Sequence, residues 1–413
     1  LDNLKSLGSL WTDLASVLKT DERDIATFER RLSREGIRFL TGTLPDLGKV
    51  FERLLITGEC PDLKPVRFKL KDGIPVFLGT YWRRSFDVTL PVETRGYNIK
   101  CMRQLCFMFY KLEVPYDPET LASYTRNFED CDRLLTPETG QVNVSGMRRL
   151  IGKVLCNTDP NIIVPRHGSG ATSCRTKNWD KYHSFRFIPR LNGVYPYDSH
   201  FYFSPSHLAD ELDKLDDAVV IEEPNSRLVA IPKDSRGPRL ICCEPREFQY
   251  VQQGLKELLY DVIERHPLTR GYVNFTDQGI NREKARLASL NQGYATLDLS
   301  EASDRVSWEL VQQVFPPSWV RCFDACRTRY VEMPDGTLFG PLRKFAPMGS
   351  ALCFPVEALF FWAIIKASCH VDVYVYGDDI ILPMRAVEPA IAALERCGLK
   401  INTLKSCYKT PFR

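Results

Sequence analysis

Residues 371–382 read Val-Asp-Val-Tyr-Val-Tyr-Gly-Asp-Asp-Ile-Ile-Leu, and how this stretch is read decides the fold. Two runs of β-branched and aromatic residues flank Gly377-Asp378-Asp379, the pattern of a hairpin with an acidic tip. Aspartate is common in turns, so a solvated turn is one reading. In the other, a cation keeps together two adjacent carboxylates that repel each other and add nothing to a core.

A second acidic strand lies upstream. Tyr294-Ala295-Thr296-Leu297-Asp298-Leu299 alternates as a half-buried strand does, with Thr296 and Asp298 on one face. Asp298 falls at the strand's end, and residues 300–304 are expected to begin a helix capped by Ser300. Between Asp298 and Asp378 there is room for that helix, a hairpin turning at Pro334-Asp335-Gly336, and a long apolar helix over about residues 351–367. A strand laid beside the hairpin would bring Asp298, Asp378 and Asp379 to one point. Hard oxygen ligands of this kind suit Mg²⁺ or Mn²⁺, and a pair of such ions drives in-line phosphoryl transfer.

Further out the signals are coarser. Residues 10–18 carry apolar positions at helical spacing, with a new start at Thr20-Asp21, and residues 101–112 read as a helix closed by Pro115. Residues 164–205 are rich in aromatics, prolines, glycines and cations. That texture suits single-stranded nucleic acid, or an aromatic lobe with a solvated basic rim. Residues 227–232 and 239–243 read as strands around a turn, and residues 247–265 as a helix stopped by His266-Pro267.

Composition sets the bounds. The chain has 413 residues, 44% hydrophobic and 26% charged, enough for two or three lobes of a globular protein; with no linker between them, they are expected to be interleaved. The longest apolar runs, such as 358–365, are far shorter than a membrane span, and no signal peptide is apparent. Fourteen scattered cysteines without a C-x-x-C read as reduced thiols rather than zinc ligands. A net charge of +3 neither implies nor excludes a nucleic-acid partner. The chain starts at Leu1 and stops at Pro411-Phe412-Arg413, so a piece of a longer product is expected.

The strings DLSEASD (298–304), PMGSALCFPVEALFFWAI (347–364) and YGDDII (376–381), in this order, resemble the palm motifs of viral RNA-dependent RNA polymerases. More narrowly, they are similar to the replicase subunit of leviviruses, the positive-strand RNA bacteriophages. RLVAIPKDSRGPRLICCEP (227–245), DQGIN (277–281), the 168–172 segment and residues 103–113 extend the likeness over most of the chain from about residue 100.

The resemblance implies an α+β right-hand polymerase with an antiparallel-sheet palm, helical and loop-rich fingers, and a thumb largely absent. Residues 1–245 would form the N-terminal region and fingers, 246–310 the first part of the palm, 311–345 an insertion, and 346–413 the rest of the palm. It implies RNA-templated RNA synthesis from NTPs, replicating a positive-sense phage genome with two Mg²⁺ (or Mn²⁺) ions on Asp298, Asp378 and Asp379. Ser303 and Asp304 would meet the ribose of the incoming nucleotide. Gly349 would allow close backbone approach to template or nucleotide, while Ser350 caps the following helix and donates to a phosphate or sugar. Lys233, Arg236 and Arg239 would line the nucleotide channel, with Arg239 on the triphosphate. Lys405 would protonate the departing pyrophosphate.

Many relatives carry threonine where Cys353 stands, so that hydroxyl's role does not carry over. Glu357 interrupts an otherwise apolar stripe of Leu352, Val356, Leu359, Phe360, Ala363 and Ile364. Expected partners are template and product RNA, NTPs, and in some relatives host translation elongation factors Tu and Ts and a ribosomal protein. The expected place is the cytoplasm of a bacterial host, with no membrane. Two other readings stand beside this one. A reverse transcriptase shares the two-metal palm but usually has a bulky aromatic near the first Asp, where this chain has Ser303-Asp304. A non-catalytic RNA-binding protein with a decayed palm would lack a metal carboxylate, and none is missing here.

Overall fold

Helical periodicity dominates the first hundred residues, and they fold accordingly. The computed structural model describes residues 2–58, 67–136, 139–175, 177–182, 185–202, 204, 206–210, 218–234, 237–403 and 405–408. Its contacts divide the chain into two compact units. One holds residues 1–121 with 232–239, the other 122–231 with 240–413, so the units are interleaved along the sequence.

In the smaller unit, α1 (Asp2–Val17) gives way to α2 (Glu22–Glu35), whose first turn is capped by the Asp21 carboxylate accepting the Arg23 N–H. There follow α3 (Leu44–Thr57), the two-residue strands β1 (Leu70–Lys71) and β2 (Ile74–Pro75), α4 (Gly79–Phe86) and α5 (Val92–Phe107). Helix α5 starts behind Pro91, well before the expected Cys101, and ends at Phe107, where single turns lead to Pro115. The core is aromatic: Trp11 stacks on Phe28 with ring centroids 3.8 Å apart, and Phe39, Phe51 and Trp82 complete it.

The larger unit takes up most of α6 (Pro118–Arg133) and continues through α7 (Val144–Leu155) and two single-turn helices, α8 (Pro189–Asn192) and α9 (Tyr197–His200), within a loop-rich stretch. Strands β3 (Ser226–Asp234) and β4 (Gly237–Cys243) lead to α10 (Arg246–Arg265) and α11 (Gly279–Asn291). Then come β5 (Tyr294–Leu297), β6 (Leu299–Ser300), α12 (Trp308–Val314), α13 (Pro317–Cys326), β7 (Val331–Glu332) and β8 (Leu338–Phe339). The chain closes with α14 (Cys353–Cys369), β9 (Tyr374–Tyr376), β10 (Asp379–Pro383), α15 (Val387–Arg396) and β11 (Lys400–Ile401). The class is α+β, as expected.

Three small sheets matter for the site. Strand β10 lies between β5 and β9, antiparallel to both. Strand β11 pairs antiparallel with β6, and β4–β3–β7–β8 form a mixed sheet in which β3 runs parallel to β7. Helix α14 is not a striped helix. Val356 to Ile365 are buried on every side, and so is Glu357.

One expected element is absent. Residues 300–304 do not start a helix, because Ser300 is paired with Lys400 in the β6–β11 ladder. Asp304 therefore sits in a single 3₁₀ turn, Ser303–Arg305, rather than on a helix. The helix begins at Trp308 instead, and its cap is Ser307, whose hydroxyl accepts the Leu310 N–H at 3.4 Å. The thirteen described cysteines are all free thiols, and Cys60 lies outside the described residues. Among the described residues no helix is long and apolar enough to cross a membrane.

Candidate active site

The β9–β10 hairpin is held by Tyr376↔Asp379 pairing, which leaves Gly377-Asp378 as a two-residue turn. Gly377 has φ +60°, and a Cβ there would stand 2.2 Å from the Phe354 ring. No residue with a side chain fits, so glycine is required by both backbone and neighbour. Asp378 is thereby exposed at the tip, and Asp379 opens β10.

On the other edge of β10, Ile380 faces Leu297 and Ile381 faces Thr296. Continued by one residue, this register sets Asp298 beside Asp379. The backbone of Asp298 is tied on both sides. Its N–H donates to Ser406 Oγ at 3.0 Å, and its carbonyl accepts the Asn402 N–H at 2.9 Å. Lys405, mostly exposed, reaches Asp298 Oδ2 with its Nζ at 3.4 Å. The expected proton donor and the expected metal ligand thus form an ion pair.

The electrostatics are those of crowded acids. Burial pushes the Asp298 carboxyl above its ordinary range and nearby Asp378 adds to this, while Lys405 opposes both. Asp379 is also pushed up, first by lost hydration, then by Asp378 and Asp298; the Gln278 amide, 3.5 Å from its Oδ2, works the other way. Asn281 Nδ2 donates to the Asp379 carbonyl at 3.4 Å. Among the described residues, Asp298 Oδ1 is buried with no hydrogen-bond partner. A buried acceptor of this kind is costly unless something satisfies it. Among the described residues, no three His, Cys, Asp or Glu side chains stand as a preformed metal cluster. The unsatisfied oxygen and the mutually repelling carboxyls nevertheless fit a divalent cation that takes oxygen ligands.

The remaining expected residues are placed as follows. Asp304 is partly exposed and pairs through Oδ1 with the fully buried Lys344 at 3.1 Å. Ser303 is buried, with its hydroxyl beside the Cys353 thiol. Gly349 does make a close backbone approach, but to β4: at φ +121°, a Cβ would lie 2.1 Å from the Cys242 carbonyl oxygen, and Cys242 N–H donates to Met348 O at 2.8 Å. Ser350 is buried, and its hydroxyl accepts the Leu352 N–H at 3.3 Å, at the residue before α14 rather than inside its first turn. Lys233 and Arg239 are exposed on the hairpin segment that belongs to the smaller unit. The Lys233 N–H donates to the Tyr116 hydroxyl at 3.1 Å. Arg236 lies outside the described residues.

Two residues had no role in the sequence reading. Glu357 is buried in α14, accepts a hydrogen bond from Cys353 Sγ at 3.6 Å, and is held well above the carboxylate range by burial and then by Asp378. Its only local signal is an acid inside an apolar helix. Lys344 had no local signal at all.

The profile of the family described as RNA replicase, beta-chain matches residues 141–413. The RNA-directed RNA polymerase subunit beta of Qbeta virus (strain MX1) is 30% identical over 289 residues, covering 66% of this chain and 46% of that protein. Its counterpart from Escherichia virus Qbeta is 33% identical over 196 residues, covering 46% and 32%. The RNA-directed RNA polymerase beta chain of Escherichia phage MS2 is 33% identical over 188 residues, covering 44% and 33%. In each case the matched stretch spans less than half of the relative. The family match reaches across the carboxylate strands, their glycine turn and the lysine beside them, and the chain belongs to the RNA replicase beta-chain family.

Proposed function

We propose that this chain performs RNA-templated RNA synthesis from NTPs, copying the positive-sense genome of an RNA phage. The observation that carries this reading is the meeting of Asp298 with the Asp378-Asp379 tip across β5 and β10, inside the family match. The β5–β10–β9 sheet would be the palm of a right-hand polymerase, with helical and loop-rich fingers.

In chain extension the 3′ hydroxyl of the growing strand attacks the α-phosphorus of an NTP. A new P–O ester bond forms as the hydroxyl loses its proton to water, the bond from the α-phosphorus to the oxygen bridging to the β-phosphate breaks, and pyrophosphate leaves. Asp298, Asp378 and Asp379 would hold two Mg²⁺ (or Mn²⁺) ions, which when bound supply charge stabilisation to the attacking and leaving oxygens. The peptide ties on Asp298 hold the backbone that carries one carboxylate, and the required Gly377 turn holds the backbone that carries the other two. Lys405 Nζ gives a proton to the departing pyrophosphate. Asp304 accepts a hydrogen bond from the 2′ hydroxyl of the incoming nucleotide, and Ser303 supports that turn. Lys233, Arg236 and Arg239 are proposed as phosphate-binding cations, as the family resemblance implies.

Host elongation factors Tu and Ts, a ribosomal protein and a bacterial cytoplasm belong to the same proposal, as the resemblance of the sequence motifs implies. The test is extension of a primed RNA template in Mg²⁺ with ribonucleotides or deoxyribonucleotides, with and without a bacterial extract. Ribonucleotide incorporation is expected, and Asp378→Asn should reduce it by roughly a thousandfold or more. Full incorporation by Asp378→Asn would sink the carboxylate assignment, and a preference for deoxyribonucleotides would favour a reverse transcriptase.

A further inference from the structure

A buried ammonium is costly unless charge and hydrogen bonds match it. The Lys344 side chain has no exposed area at all. Its Nζ donates to Asp304 Oδ1 at 3.1 Å and to the Phe128 carbonyl at 3.4 Å, and it sits 3.6 Å from the centre of the Phe128 ring.

The backbone that carries it is pinned as well. The N–H groups of Arg343 and Lys344 both donate to the Asp132 carboxylate, at 3.1 and 2.9 Å. Trp308 N–H donates to Arg343 O at 2.9 Å, and Phe345 N–H to Val306 O at 2.6 Å. Lys344 is therefore fixed against the segment that carries Asp304.

Asp304 is less enclosed, with 21% of its side chain exposed. Among the described residues its carboxylate is hydrogen-bonded by Lys344 alone, through Oδ1. The arrangement grips one oxygen and leaves Oδ2 an acceptor. A buried ion pair contributes little stability over a well-packed apolar pair, but it orients its members well.

We propose that Lys344 is a positioning residue for sugar selection. By holding Oδ1 it presents Oδ2 of Asp304 to the 2′ hydroxyl of an incoming ribonucleotide. This rests on the polymerase reading above. A site built to hydrogen-bond a substrate hydroxyl discriminates strongly against the analogue that lacks it, and a carboxylate free to rotate loses that advantage.

The test compares ATP with 2′-deoxy-ATP on the chain bound to a primed RNA hairpin with a templating uridine, in Mg²⁺. Dissociation constants come from fluorescence titration, and kcat and KM from single-nucleotide incorporation. Each ratio comes from one preparation, so it does not depend on the fraction that folds. Lys344→Met is expected to lower the preference for ATP roughly 10- to 100-fold, through weaker ATP binding and higher KM, with deoxy-ATP little changed. Asp304→Asn should do the same, and the double variant should lose no more than Asp304→Asn alone. Lys344→Arg, which keeps the charge, should stay near the wild-type ratio and serves if Lys344→Met yields no folded protein.

The proposal is overturned if Lys344→Met weakens both nucleotides equally, if its effect adds to that of Asp304→Asn, or if Lys344→Arg falls to the Asp304→Asn ratio. It also falls if Asp304→Asn keeps the wild-type ratio, an outcome that leaves the polymerase reading standing. Failure of the wild type to bind either nucleotide would instead reject the polymerase reading, and this proposal with it.

Discussion

Glu244 carries a pH signature set by its surroundings. It is 1% exposed, accepts a hydrogen bond from Thr328 Oγ1, and lies beside Gln252, yet burial pushes its carboxyl to about 7. A carboxyl raised in the folded state stabilises most below its unfolded value of 4.5, and that contribution is lost as pH rises through about 7. The change is on the order of 3 kcal/mol. His167, pushed down to about 4 by burial, acts with the opposite sign: its contribution is full above 6.5 and is lost as pH falls through about 4. The difference between wild type and Glu244→Gln therefore isolates Glu244. Urea midpoints should show the wild type losing stability relative to Glu244→Gln between pH 4.5 and 7.5; parallel profiles would reject the assignment. At this scale the strand ending at Asp298 and the turn that carries Asp378 and Asp379 were legible in the sequence, because strand alternation and a glycine turn are local patterns. Lys344 and Glu357 were not. The significance of Lys344 comes from Asp304, forty positions upstream, and that of Glu357 from the approach of Asp378.

Among the elements, the two hairpins around Pro334 and Gly377, helix α10 and the long α14 were legible, since each has its own period and stop signals. The stretch after Asp298 was misread. A serine followed by acids looks like a helix start, but pairing of Ser300 and Leu299 with β11 competes for the same backbone and wins. The cap is Ser307, 2% exposed. Ser307→Ala should cost about 1 kcal/mol, the usual price of a lost cap, and Ser300→Ala much less. Thermal melts of the two variants decide it, and equal destabilisation would contradict the assignment. Gly349 shows a similar gap: a small-residue loop was legible, but not that its neighbour would be the Cys242 carbonyl.

For the whole molecule, interleaved units were expected from the lack of a linker, and the structure has them, with separate cores. Trp11 is buried, stacked on Phe28, and donates Nε1–H to Leu105 O at 2.9 Å. Trp11→Ala should therefore destabilise the smaller unit by roughly 3–5 kcal/mol. In hydrogen exchange, protection should fall over residues 2–107 and persist in β5, β9 and β10; equal loss in both would mean that the units unfold together. By itself the sequence determined the strand and turn that carry the three carboxylates, the α+β class and the family likeness, because these depend on residues a few positions apart. Only the tertiary structure decided that Lys405 pairs with Asp298, that Lys344 grips Asp304, that Ser300 is a strand residue and that Gly349 abuts β4. Those contacts depend on register and burial between segments far apart in the chain, and no local pattern encodes either.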